Sequence, residues 1–484
     1  METKVESQAG LSSGLKLNYK RTFIIGFAFF GILLLWQVYD SWCPTFLTEL
    51  FKEAFPGKTT EEVQYLVGIM MALDNLAALI LLPIFGTLSD KTHTKIGKRM
   101  PYILVGTICC AAAFPFIPLL FHLHNLAGTI TMMAIVVVFA MMYRNPAVAL
   151  MPDITPKPLR SKANGIINIM GYIGGAFATV LGIAFILTDY LGGTTASAWL
   201  NNTANIWTIE IPFLIGSVLM VFSALFLFFN INENKIEAEM APQMKLGEEL
   251  AAVQDKVDDD TEKPMSKANK IMLFCILGAE FFWFMADNGI GTFMGNYTYY
   301  YLHCKSSSNM INTIVGGVGS VIGFIVGGML ASKIGRKWTI FSGLSLTIAA
   351  LTVWLVCSYV FPVKIPVDSE TFNSFPTYLF FIWGIKGFGM SLVHVNSFPM
   401  VVELCSSKKI GQFTGYYYAS SMAAQTVTPC LLGLLLLNEN FSFRELPIYA
   451  LSCAAAAAVI FLFVKNIKND KTTIKKGIEA LDAD

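Results

Sequence analysis

Charge is scarce in this chain of 484 residues. Asp, Glu, Lys and Arg make up 14% of it, where an average soluble protein carries about 25%. Beside 55% hydrophobic residues, that shortage excludes an ordinary set of soluble domains. The net charge of +1 makes no case for a nucleic-acid partner. The nine cysteines lie mostly in apolar stretches, with Cys304 the clearest exception, so no disulfide framework is expected. HExxH, GxSxG, clustered metal ligands and a Walker-type phosphate loop are all missing, and Gly316-Gly-Val-Gly319 lies inside an apolar run. Metal-hydrolase, serine-hydrolase and ATP-driven readings therefore lose their basis. No enzyme activity and no cofactor are expected. The first 20 residues are polar, and the apolar run after them is too long for a cleaved signal.

Long apolar runs are what the chain has instead. Twelve recur, over 22–48, 65–88, 101–121, 129–151, 164–188, 207–229, 271–300, 310–331, 338–361, 377–400, 411–437 and 446–464. About 20 apolar residues span a bilayer as a helix, and lipid leaves no backbone group unpaired, so the runs read as helices. The expected fold is an all-α membrane protein of two pseudo-symmetric six-helix bundles. Its parts are an N-tail (1–21), a first bundle (22–229), a linker (230–270), a second bundle (271–464) and a C-tail (465–484). The linker is the one long polar segment, with an amphipathic helix expected near Met244 to Val253. Small-residue spacings, Gly171-xxx-Gly175 and Gly319-xxx-Gly323-xxx-Gly327, mark close helix contacts.

A repeat supports the two halves. Gly86-Thr-Leu-Ser-Asp90 with Ile96-Gly97-Lys98-Arg99 is matched by Gly328-Met-Leu-Ala-Ser332-Lys333-Ile334-Gly335-Arg336-Lys337. Gly86 and Gly328 are 242 apart and Gly97 and Gly335 are 238 apart, so the first copy holds four extra residues. Asp153 precedes Gly165 by 12 residues, as Glu403 precedes Gly415. Paired halves embedded in a membrane point to a transporter.

On an alternating topology one side holds 27 Lys and Arg. The other holds five: Lys52, Lys58, Lys305, Lys364 and Arg444. The positive-inside rule puts both termini in the cytoplasm of a cell-membrane protein. The sequon-like Asn201-Asn-Thr203 then faces outside.

Charges deep in spanning helices are costly, about 2.5–3.5 kcal/mol each on insertion scales, and mark functional sites. They are Asp40 on helix 1, Asp74 on helix 2, Arg144 on helix 4, Glu280 and Asp287 on helix 7, and Lys386 on helix 10, which also carries His394. Helices 3, 9 and 12 have none, and helix 6 has only Glu210 near its start. All but Asp74 sit on the first helix of a three-helix unit, so helices 1, 4, 7 and 10 are expected to line one wet cavity. The bland alternative is that these charges pair to hold helices together. Carboxylates withdrawn from bulk water can exchange protons near neutral pH, making Asp40, Asp74, Glu280 and Asp287 the candidate proton carriers. Trp36, Gln37, Asn75, Trp283 and Asn288 accompany the charges. Flat aromatic faces with carboxylates and amides suit the C–H faces and hydroxyl pairs of a sugar. Tyr297, Tyr299, Tyr300 and Tyr301 read as an interfacial belt, and Gly289, Gly291 and Gly295 as a bendable outer gate. Gly86, Asp90, Arg99, Asp153, Arg160, Gly328, Arg336 and Glu403, with Lys98, fall at inner helix ends. There they are expected to cap helices and form ion pairs between the halves.

The repeated loop resembles the signature of the major facilitator superfamily. The stretch from Gly86 to Tyr102 is similar to the longer loop of glycoside–pentoside–hexuronide cation symporters and sucrose-type transporters. Arg144-Asn-Pro-Ala-Val-Ala-Leu-Met-Pro-Asp153 with Arg160-Ser-Lys-Ala-Asn164 resembles the helix 4–5 segment of the sucrose-transporter group. The resemblance implies alternating access and a di- or oligosaccharide or glycoside substrate. Two departures stand out. Melibiose-type carriers place an acid directly before the helix 2 proline, where this chain has Leu82 before Pro83, so a proton is expected as coupling ion rather than sodium. Ser332 also replaces the usual Asp, which makes the two inner gates unequal. A sugar–proton symporter, working as a monomer, is the expectation. The rivals are a carrier of hexuronides or other organic anions clamped by Arg144 and Lys386, and a non-transporting membrane sensor.

Overall fold

The computed structural model describes residues 15–191, 207–259, 267–361, 363, 372–402, 404 and 410–464. The sequon-like triplet, Lys364, Glu403 and the C-tail lie outside the described residues. Among the described residues there are helices and no strand. The twelve expected runs form α1 (Tyr19–Ala54), α2 (Thr60–Lys91), α3 (Met100–Ala113), α4 (Leu126–Asp153), α5 (Arg160–Ala184) and α6 (Trp207–Asn230), then α7 (Lys267–Asn296), α8 (Ser306–Ile334), α9 (Arg336–Val360), α10 (Thr377–Val402), α11 (Ile410–Leu435) and α12 (Leu446–Leu462).

Eleven helices among the described residues are long and apolar enough to cross a bilayer. The exception is α11, whose Gly-Tyr-Tyr-Tyr-Ala-Ser-Ser stretch dilutes its apolar character. Its 26 residues still reach about 39 Å at 1.5 Å per residue, beyond the roughly 30 Å of a hydrocarbon core. The helix α1 has 36 residues, about 54 Å, and so extends well past the core at its ends.

Local chemistry sets the boundaries. Asn18 caps α1, its side chain accepting from Arg21 N at 3.0 Å. Thr59 and Glu62 form a reciprocal capping box at the start of α2, at 3.2 and 2.6 Å. The expected single run 101–121 breaks at Phe114–Pro115 and resumes as Phe116–His122, because Pro115 cannot donate to the preceding turn. Beyond Asn296, α7 widens into a π turn, Tyr297–Tyr301. The linker holds one helix over Glu233–Asp259, longer than the segment expected.

The packing is symmetric. α1 lies on α5 and α6, as α7 lies on α11 and α12; α4 lies on α2 and α3, as α10 lies on α8 and α9. The halves meet where α2 packs on α11 and α5 on α8. Within the second half, Gly319 and Gly323 of α8 abut the backbone carbonyls of Gly384 and Phe388 on α10, as the small-residue spacing required. In the first half the spacing misleads by one residue. Gly174, not Gly175, meets the backbone of Phe30 on α1, while Gly175 faces open space. Each half has its own apolar core, one large cluster in the first and two in the second.

Candidate functional site

The deep charges form a group within each half, arranged differently in the two. In the first half, Asp40 stands midway along α1 between buried Tyr39 and Trp42, yet is itself exposed. It is thus an exposed carboxylate in the middle of a largely buried helix. Arg144 on α4 is half-buried and attracted to Asp40. It has neither a hydrogen bond nor an ion pair among the described residues. Asp74 on α2 is held instead by the hydroxyl of Tyr39, which donates to its Oδ2 at 2.5 Å. In the second half, Lys386 on α10 forms an ion pair with Asp287 on α7. His394 adds its field to Asp287, and its ring packs edge-on against Phe284 at 5.1 Å. The second half thus pairs Asp287 with Lys386, while the first leaves Asp40 and Arg144 without a hydrogen bond or ion pair to each other among the described residues.

Other expected site residues are placed differently. Trp36 is half-buried and packs edge-on against Tyr39 at 5.7 Å. Gln37 donates to Ser41 at 3.2 Å. Asn75 donates to Met71 O at 3.3 Å and across the interface to Gln425 O at 3.2 Å, so it fastens the halves. Glu280 and Trp283 were expected to line the cavity and do not. Both have no exposed surface, and Trp283 packs on Phe461 of α12 at 6.4 Å. Among the described residues, neither carboxylate oxygen of Glu280 nor Nε1 of Trp283 has a hydrogen-bond partner, and Oδ1 of Asn288 is likewise unpartnered. Tyr39 and Phe284 were missed, although the run Trp36-Gln37-Val38-Tyr39-Asp40 held a signal for the first.

The end of the bundle away from the tails is sealed by contacts between the halves. Asn296 at the end of α7 is buried and joins three side chains of the first half. Its Oδ1 accepts from Thr45 at 3.0 Å, and its Nδ2 donates to Thr48 at 3.1 Å and to Gln64 Oε1 at 2.9 Å. Tyr300 OH donates to the buried Glu49 at 2.6 Å, with Lys52 5.1 Å from the Tyr300 ring. Tyr299 and Tyr300 therefore belong to this closure, and Tyr297, which accepts from Trp354 Nε1 at 3.2 Å, to the core of the second half, rather than to a lipid-facing belt. Lys305 pairs with Asp189 at 3.0 Å. Gly68 of α2 meets the backbone of Pro429 on α11 so closely that a Cβ would collide with its carbonyl.

At the tail end the gate residues of the first half bind one another. Arg99, buried at the start of α3, pairs with Asp90 at the end of α2. It also donates to Asp153 at the end of α4 at 2.8 Å and to Ser89 at 2.5 Å. Burial opposes its charge, but the two carboxylates outweigh burial and raise its pKa. Lys98 reaches Asp153 at 3.2 Å, and Arg160 donates to Thr155 O and Pro152 O at 3.0 and 2.8 Å, capping α4. Gly86 backs onto the Asn145 amide, which donates to Leu82 O at 2.7 Å. The ion pairs expected between halves are, for Asp90, Arg99 and Asp153, ion pairs within one half, because α2, α3 and α4 end together. In the second half Gly328 is half-buried on α8 and Arg336 opens α9 after Gly335, at φ 86°. Ser332 there turns back on Met329 O at 2.7 Å rather than reaching an arginine.

Glu233, the first residue of the linker helix, completes this network. Its carboxylate is buried and accepts from the backbone N–H of Arg99 at 3.0 Å and of Met100 at 3.1 Å. It thus satisfies orphan donors at the N-terminus of α3. Burial raises its pKa against the opposing pull of these N–H groups. Gly97, at φ 115°, places its α-carbon where a side chain would strike the Glu233 carboxylate. Asn234 donates to Thr94 O and Lys95 O, each at 3.0 Å.

A family model described as MFS/sugar transport protein matches residues 24–431. No curated protein matches the chain. Among solved structures, it is similar to a D-xylose-proton symporter at 15% identity and a TM-score of 0.63, over 94% of this chain and 99% of that one. It is similar to the inward open conformation of the xylose transporter XylE from E. coli at 15% identity and 0.59, over 95% and 98%. It also resembles the peptide transporter POT in complex with sulfate at 12% identity and 0.61, over 94% and 97%.

Proposed function

The chain belongs to the MFS/sugar transport protein family and is a secondary transporter of the membrane; from that premise we propose that it carries a neutral di- or oligosaccharide or glycoside together with a proton. The observation that most supports this reading is the pairing pattern of the deep charges. Lys386 is occupied by Asp287, so the two-cation clamp that an organic anion would need is reduced to Arg144. Arg144 faces Asp40, and together they offer donors and acceptors to vicinal hydroxyls, with Trp36 and Tyr39 as aromatic neighbours.

Transport follows by alternating access. In this reading the polar seam at Asn296 and Tyr300 holds the far end shut, and Asp40 is reached from the tail end. The excess of Lys and Arg on the tail side assigns that side to the cytoplasm of a cell-membrane protein. Opening outward requires the seam to exchange its internal hydrogen bonds for water. Asp40, Asp74, Glu280 and Asp287 are the acids through which a proton can be coupled to that exchange. We take the transporter to work as a monomer.

Reconstitution in liposomes with a pH dye, challenged with neutral sugars and uronic acids, tests this. Sugar-dependent alkalinisation of the outer medium, lost in Asp40→Asn or Asp74→Asn, is the expected result. Sugar uptake without proton movement, or uptake that follows a sodium gradient, removes proton coupling. Uptake of uronates alone replaces the sugar reading with the anion carrier.

A further inference from the structure

Four deep carboxylates are available to carry a proton, and three of them have a polar or charged group beside them or an exposed face. Asp287 has Lys386 and His394. Asp74 accepts from Tyr39 OH. Asp40 is exposed and faces Arg144. Glu280 has none of this support: its side chain is fully buried and, among the described residues, neither oxygen meets a donor. An isolated ionised carboxylate in such a place costs far more than folding supplies, and the group takes a proton instead.

The basic groups of the helices around it are committed elsewhere. α7 packs on α12, α11, α1 and α10. On α10, Lys386 and His394 act on Asp287. On α11, Tyr417 shares a hydrogen bond with Ser397 at 2.8 Å. On α12, the ring of Tyr449 lies against Gly289, nine residues beyond Glu280, and on α1 Asp40 and Tyr39 are engaged as described. Glu210 is also buried and unpartnered among the described residues, but it sits in the first turn of α6, at the far end of the first half.

Position gives the buried acid a use. Glu280 lies seven residues before Asp287 on α7, two turns and about 10 Å nearer the tail end on the same helical face. Its neighbours Ala279 and Trp283 belong to the apolar cluster that joins α7 to α10, α11 and α12. A change in how α7 seats against these helices is what would let water in.

Resting on the symport reading above, we infer that Glu280 is the proton-carrying residue, loaded as a neutral acid in this state. On release, its O–H bond breaks, the proton passes to water at the tail end, and the carboxylate left behind is stabilised only where that water has entered. A structural role would need nothing more than a permanently neutral side chain, and Glu280→Gln supplies one of the same shape.

The test compares the wild type with Glu280→Gln in liposomes, reading sugar exchange at equilibrium and sugar accumulation driven by a pH gradient. One pH unit supports about a tenfold sugar gradient at one proton per sugar. The inference expects Glu280→Gln to keep exchange while losing that accumulation and the sugar-dependent alkalinisation. Retention of both in Glu280→Gln overturns it, and so does loss of both in a protein that melts as the wild type does. If Glu280→Gln does not fold, Glu280→Asp decides: accumulation with a displaced pH profile supports the inference, and an unchanged profile overturns it. Wild-type vesicles that accumulate no sugar in a proton gradient sink the symport reading itself, a result distinguishable from any behaviour of the variants.

Discussion

Removing the amide of Asn296 should unlatch the far end. Asn296→Ala deletes three hydrogen bonds that join α7 to α1 and α2. All four side chains involved are buried in this state, and each meets water when the seam opens, so the deletion destabilises the sealed state selectively. Buried hydrogen bonds contribute about 0.5–1.5 kcal/mol each. Three give roughly 2–3 kcal/mol, since Gln64 keeps its bonds to Thr48 and Thr60 O at 3.2 and 3.0 Å. With 1.4 kcal/mol per factor of ten, the ratio of outward-open to sealed protein should rise about 30- to 100-fold. Spin labels on the exposed loop residues Phe55 and Asn440, one in each half, read the separation directly. The expected result is growth of a long-distance population without sugar, with the protein still folded. A distance distribution identical to the wild type would refute the assignment of this network as the outer latch.

The backbone contact beside that latch should behave in the same direction: Gly68→Leu wedges α2 off Pro429, and labelled sugar uptake should fall severalfold while the protein remains in the membrane fraction. Arg144→Lys keeps the charge but loses the planar fork of donors, so the sugar concentration for half-maximal uptake should rise about tenfold or more; an unchanged value would remove Arg144 from the site. Glu233 gives a pH signature. Burial raises its pKa in the folded protein, so folding favours its protonated form, and this group's contribution to stability is lost as pH rises through the raised value. Glu233→Gln should flatten that stretch of a plot of melting temperature against pH, and a parallel curve would show that the carboxyl does not titrate there.

Much of the fold could be read from the sequence because a spanning helix is a composition as much as a pattern. Twenty apolar residues are visible whatever face they turn, and the repeated loops tied the two halves together. The faces themselves were hidden. A membrane helix is apolar towards lipid and apolar towards its neighbours, so nothing in the spacing told that Glu280 and Trp283 are buried in the core while Asp40 is exposed. The latch was hidden for another reason: Thr45, Thr48, Gln64 and Asn296 are uncharged single residues on three helices, and their meaning appears only when the halves are brought together. The tyrosine run after Asn296 had the composition of an interfacial belt and was misplaced for that reason. Glu233 was one acid in a linker full of them; only the positive φ of Gly97 and the bare N–H groups of α3 single it out.

The clamp between Glu233 and α3 also bears on how the protein is made. Glu233 follows α6 almost directly, so every contact that ties the first half's tail-side loops together is encoded before α7 begins. Chains emerge from the ribosome N-terminal end first and fold by units. The first half can therefore fasten its own loops while the second is still being synthesised, and it meets α7 to α12 as a finished template. An early-ending chain that includes the linker helix should accordingly resist proteolysis better than one stopped at Asn230.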